Sequence, residues 1–110
     1  MSNREVVILS GVRTAIGDYG GSLKDIPPHE LAAKVVKEAM ARAKADPQDV
    51  GQCVIGNVVH TEARDMYISR LACVNGGLPI TAGALTLQPS FTTAETNVVF
   101  GGSGSDIDTL

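Results

Sequence analysis

Residues 28–59 read PHELAAKVVKEAMARAKADPQDVGQCVIGNVV, and the change of pattern inside this stretch decides the fold class. Pro28 pre-sets the backbone of a first helical turn, and Glu30 suits the positive end of a helix. Leu31, Ala32, Val35, Val36, Ala39, Met40 and Ala43 recur at helical spacing, while Lys34, Lys37, Glu38 and Arg42 fill the opposite face. The spacing predicts an amphipathic helix of about four turns, ended by Asp46-Pro47. Val50–Val59 then switches to a short apolar run with a glycine towards each end, which reads as a strand.

Upstream, Glu5–Ser10 (EVVILS) is a nearly continuous run rich in β-branched residues that ends at Gly11, the pattern of a strand covered on both faces. Gly11, Gly17, Gly20, Gly21, Pro27 and Pro28 mark residues 11–28 as a long loop. Downstream, residues 60–65 are polar. Tyr67, Leu71 and Val74 follow at i, i+4 and i+7 and predict a second helix, stopped by Asn75-Gly76-Gly77. After Leu78-Pro79, Ala82–Leu87 predicts a third strand. The order is β-α-β-α-β, which implies an α/β fold with a parallel layer and helical crossovers.

The chain has 110 residues, 44% of them hydrophobic and 19% charged, so it can bury a core and is not expected to be disordered over most of its length. Nine basic residues stand against twelve acidic ones, leaving no basic footprint for nucleic acid. No apolar run approaches the roughly 18 residues of a membrane span. With two cysteines, no CxxC pair and no signal-peptide core, the expectation is a reducing cytoplasmic location with both thiols free. All nine basic residues precede position 88, and Glu95, Asp106 and Asp108 are the only charges after it. The net charge of −3 therefore belongs to residues 88–110, which are rich in Thr, Ser, Gly, Asn and Asp and carry no helical period. The expected division is 1–87 as the α/β part and 88–110 as an irregular tail.

Several motifs in order carry a family likeness. Val6-Val7-Ile8-Leu9-Ser10-Gly11-Val12-Arg13-Thr14-Ala15-Ile16-Gly17, Gly20-Gly21-Ser22-Leu23 and Pro28-His29-Glu30-Leu31 resemble the N-terminus of a thiolase. So do Val54-Ile55-Gly56-Asn57-Val58, Arg64-Asp65-Met66-Tyr67, Arg70 and Val74-Asn75-Gly76-Gly77-Leu78-Pro79. The likeness covers residues 4–87 and is greatest to the acetyl-CoA acetyltransferase, or β-ketothiolase, branch. It implies a thiolase-like N-terminal βαβαβ fragment of a five-stranded sheet, and acyl transfer between coenzyme A thioesters by a cysteine thiolate.

The resemblance also implies what is missing. The family nucleophile follows the third strand in a segment reading Asn-Arg-(Leu or Val)-Cys-Gly-Ser-Gly, and this sequence has no such segment. Counted without a gap, the nucleophile position falls on Phe91; aligned on Gly102-Ser103-Gly104, it falls on Gly101. A third alignment sets Leu87-Gln88-Pro89-Ser90-Phe91 and the Gly- and Asp-rich stretch 101–108 against a later thiolase segment, as after an internal deletion. A frameshift near codon 88 competes with it. The family's catalytic His motif, second cysteine and coenzyme A-binding loops lie beyond the matched part. No catalytic, cofactor-binding or metal residue is assigned, and the chain alone is expected to be inactive. The alternative is a non-catalytic thiolase-like subunit that pairs with a complete thiolase. Homo-oligomers are possible, and acyl-CoA is expected only as a ligand of the full-length family.

Cys53, inside a strand, and Cys73, beside the apolar stripe of a helix, read as small packing residues. His29 reads as a solvated first-turn residue, and His60, near Glu62 and Asp65, as a solvated loop histidine with a weak metal-binding alternative. Gly17–Gly21 and Gly101–Ser105 read as flexible turns, because neither has the spacing or the Lys of a phosphate loop. Arg13 and Arg70 read as bracing residues. The resemblance places 57–75 near a subunit interface, which makes Tyr67 and Arg70 possible interface residues.

Overall fold

The computed structural model describes residues 4–87 and the backbone of residues 98–102. Helix α1 spans Pro28–Ala43 and begins, as the sequence predicts, with proline in its first turn and Glu30 at its positive end. It stops before Asp46-Pro47: Lys44 takes up the left-handed conformation at φ 53°, and its N–H donates to Ala41 O at 3.3 Å. Strand β1 spans Val50–Gly56, helix α2 Ile68–Asn75, strand β2 Gly83–Leu87 and strand β3 Val98–Gly102. Short 3-10 turns at Pro47–Asp49 and Ala63–Tyr67 lead into β1 and α2.

The sheet has the order β2-β1-β3. β2 runs parallel to β1, from Gln52 opposite Gly83 to Gly56 opposite Leu87. The parallel α/β layer predicted for this part is present. β3 runs antiparallel on the other edge of β1, with Cys53 opposite Phe100 and an irregular step between Val50 and Gln52. This corrects the expectation of a wholly irregular tail: Val98-Val99-Phe100 is a β-prone run, and β1 has a free edge to receive it. The remaining tail positions, Phe91 among them, lie outside the described residues.

The larger correction concerns residues 5–10. They form no strand, and Val6, Val7, Ile8 and Leu9 are 59–93% exposed. Strand propensity does not suffice without a partner, and both edges of β1 are taken by β2 and β3. Residues 5–17 have no backbone–backbone hydrogen bond among the described residues. The arm is held to α1 by the Ser10 hydroxyl, which donates to Ala39 O at 2.8 Å.

The core lies between the two helices and one face of β1. Ala32, Val36 and Met40 of α1 meet Ile68, Ala72 and Cys73 of α2 and Val50, Cys53 and Ile55 of β1. Leu78 and Ala82 close it. The stripe predicted for the second helix is rotated: Ile68, Ser69, Ala72 and Cys73 face inward, while Tyr67 and Val74 are exposed and Leu71 is half-buried. Contact with α1 selects the face that carries the smaller residues, because they allow close approach. At Gly76, a Cβ would sit 2.5 Å from Val36 Cγ1 and 2.7 Å from Ala72 O, so only glycine fits there. Gly77 follows at φ 94° and turns the chain away from the helix.

Candidate functional site

The richest polar cluster sits where β1 leaves the sheet. The Asn57 N–H donates to Leu87 O at 2.8 Å, extending the parallel ladder by one bond beyond Gly56. The chain then turns through residues 58–62 into the 3-10 turn. The carboxylate of Asp65, fully buried, organises that turn. Its Oδ2 accepts from the Thr61 N–H at 2.7 Å, the Thr61 hydroxyl at 2.8 Å and the Glu62 N–H at 3.2 Å. Burial pushes the Asp65 carboxyl up, but the Thr61 and Glu62 hydrogen bonds and the charge of His60 outweigh it and hold it below 3.8. Three donors to one oxygen stabilise the ionised form and leave that oxygen no capacity for a metal.

Glu62 turns the other way, towards α1: its Oε1 lies 3.3 Å from His29 Nε2. His29 is 5% exposed, which corrects the expectation of a solvated histidine. The first turn of α1 packs against the Ala63–Tyr67 turn and encloses the ring. The result is a chain of contacts, His29–Glu62–Asp65–Thr61, that ties the start of α1 to the end of β1. His60 is exposed and sits in the electrostatic reach of Asp65. Among the described residues, no group of three His, Cys, Asp or Glu is arranged to hold a metal ion.

Arg70 also works locally. Its Nη1 donates to Ala82 O at 3.1 Å and its Nη2 to Ile80 O at 2.7 Å, so the guanidinium braces the turn before β2. Tyr67, one turn earlier, is exposed beside the exposed Met66. Arg13 donates to Thr14 O at 3.1 Å, and it lines an open cleft of about 440 Å³ against α1, with Lys34, Lys37, Glu38 and Arg42. Residues 18–21 form a turn closed by the Gly21 N–H to Asp18 O at 2.9 Å. Gly101 and Gly102 end β3, and Ser103–Ser105 lie outside the described residues.

Cys53 and Cys73 are both fully buried and free. Burial, followed by the neighbouring Cys73, pushes the Cys53 thiol up to about 12. Burial likewise raises Cys73, against the pull of Arg70 and of its hydrogen bond with Cys53. The two thiols therefore face each other across the contact of β1 with α2, and both are protonated at neutral pH. Their adjacency was not legible in the sequence, since 20 positions separate them and no motif links them. A second feature missed there is the bridge from the Thr86 hydroxyl to Ser69 Oγ at 2.7 Å, with the Ser69 N–H returning to Thr86 Oγ1 at 3.3 Å. It fastens the start of α2 to β2, and two isolated hydroxyl residues 17 positions apart give no signal of it.

Comparison with known proteins places these features. The family described as "Thiolase, N-terminal domain" matches residues 6–94. The chain is 63% identical over 85 residues to β-ketothiolase BktB of Cupriavidus necator, which covers 77% of this chain and 22% of that protein. The structure is similar to the acetyl-CoA acetyltransferase of Bacillus anthracis, with a TM-score of 0.69 and 34% identity over 74% of this chain and 21% of that one. It is also similar to human mitochondrial 3-ketoacyl-CoA thiolase in complex with CoA, with a TM-score of 0.63 and 32% identity over 66% of this chain and 18% of that one. The chain spans about a fifth of the length of the curated relatives it matches.

Proposed function

Because this chain belongs to the thiolase family, we propose that it is the front of an acetyl-CoA acetyltransferase-type N-terminal domain and that these 110 residues do not catalyse acyl transfer alone. One observation carries the reading. Acyl transfer in this chemistry needs an accessible thiolate, and the two cysteines of the sequence are buried thiols held protonated. They pack α2 onto β1 and have no path to an acyl-CoA. The Asp65 and His29 contacts serve the same end, fixing the loop between β1 and α2. No cofactor enters the proposal, since the family substrate is itself the coenzyme A thioester. Adjacent free thiols suit a reducing compartment, the cytoplasm. No helix among the described residues is long and apolar enough to cross a membrane.

Acetyl-CoA exchange measured on the purified chain tests this reading. No turnover above buffer is expected, and measurable turnover overturns it. Titration with an aromatic disulfide reagent adds a second arm: neither thiol is expected to react until denaturant is added.

A second reading, a non-catalytic subunit that pairs with a complete thiolase, draws on one feature. Met66, Tyr67 and Val74 line the outer side of residues 66–74 and stay exposed, while Arg70 between them holds the turn at 80–82 in place. Co-purification with a full-length thiolase, lost on Tyr67→Lys, is the expected result. A lone monomer in the presence of that thiolase counts against it.

A further inference from the structure

We propose that Cys53 and Cys73 are a redox pair: the fold brings together two thiols that close, with a low-molecular-weight disulfide as oxidant, into an internal disulfide joining β1 to α2. Three observations converge on this. First, the thiols meet. Cys53 lies within β1, opposite Ala84 of β2 and Phe100 of β3, and Cys73 lies in the last turn of α2. Both are fully buried in one apolar cluster, and they are hydrogen-bonded to each other.

Second, the pair is exclusive. These are the two cysteines of the sequence, so neither has another thiol of the chain to join. Among the described residues no third metal donor stands with them, which removes the four-ligand arrangement of a structural zinc site. Two sulfurs in an apolar core are left with each other as partners.

Third, charge singles out the attacking sulfur. Arg70 favours the thiolate of Cys73, whereas burial and the neighbouring Cys73 both disfavour a thiolate at Cys53. When α2 opens from β1, the Cys73 thiolate attacks the oxidant and forms a mixed disulfide, expelling one of its thiolates. Cys53 then gives up its proton and attacks the Cys73 sulfur, expelling the second. Two protein S–H bonds and the oxidant's S–S bond break. One protein S–S bond forms, and two protons and two electrons leave on the two reduced thiols of the oxidant. The closed segment, residues 53–73, carries the Asp65 turn and nearly all of α2. The fold favours the disulfide by the same factor by which the disulfide favours the fold, roughly hundredfold for a loop of about 20 residues.

Glutathione redox buffers, equilibrated with the full chain from both its reduced and its oxidised form, test the proposal. Acid quenching, alkylation and mass spectrometry read the equilibrium constant for the internal disulfide, once in native buffer and once in unfolding urea. The constant is expected to be roughly hundredfold larger in native buffer. Equilibrium does not depend on how slowly the buried thiols open, so inert thiols in a short titration do not bear on the result. A native constant equal to or below that in urea overturns the proposal, and so does a mixed disulfide with glutathione as the native product. A second reading needs no substitution: the oxidised chain is expected to unfold at a higher urea concentration than the reduced chain. An unchanged or lower midpoint overturns the proposal.

Discussion

Residues 28–87 and residues 4–17 are made of similar material and end in opposite states. Val36 and Ile55 are fully buried, whereas Ile8 and Ile16 are at least 90% exposed. The difference is not in the side chains. The 28–87 region gives its core residues a backbone with partners: α1 closes its own hydrogen bonds, and β1 has a neighbour on each edge. Residues 5–17 have no such backbone neighbour among the described residues, and most of their side chains stay exposed. Apolar character supplies a tendency to be buried, and secondary-structure pairing decides whether it is realised.

The largest expected effect contrasts the same change in both regions. Ile55→Ala opens a cavity in a fully buried site and should cost about 3–4 kcal/mol in urea unfolding, whereas Ile8→Ala should stay within about 0.5 kcal/mol. Equal effects would break the comparison. Gly76→Ala comes next: its methyl meets Val36 and the Ala72 carbonyl, and overpacking there should cost about 2–3 kcal/mol. Gly11→Ala, in the arm, meets nothing within 4 Å and should be near neutral.

Asp65→Asn sharpens the account of the loop. Losing the charge from three hydrogen bonds should cost about 1–3 kcal/mol at pH 7. Because the folded-state pKa is lowered, Asp65 stabilises the fold fully above its ordinary value of 3.8, and that contribution is lost as pH falls below it. Urea midpoints of the parent should therefore fall below pH 4 more steeply than those of the variant. The smallest effect is expected for Arg70→Ala, about 1 kcal/mol, read as faster amide exchange at residues 80–83 with α1 unchanged.

Much of the packed region was legible. The 3.6-residue period of α1 marks the residues that are buried, and β1 and β2 fall within the predicted runs. Where the reading failed, the cause was a choice among faces or partners. Tyr67, Leu71 and Val74 have helical spacing, but so do Ile68, Ala72 and Asn75, and contact with α1 selects the turn face carrying Ile68 and Ala72. His29 looks solvated in a list of first-turn residues and is enclosed only because the loop after β1 returns over it. Polar contacts such as Ser69–Thr86 join elements that no local pattern connects.

The sequence by itself determined the family likeness, the α/β alternation and the amphipathic face of α1. Each is a property of residue type and spacing along the chain. Only the tertiary structure decided that Cys53 and Cys73 are neighbours with raised pKa values, that Asp65 spends its charge on a turn, and that Glu5–Ser10 lies unpaired while Val98–Gly102 holds the edge. The physical reason is common to all three. Desolvation, charge and strand pairing depend on what stands across space from a group, and that is set by the competition among distant segments for the same few surfaces.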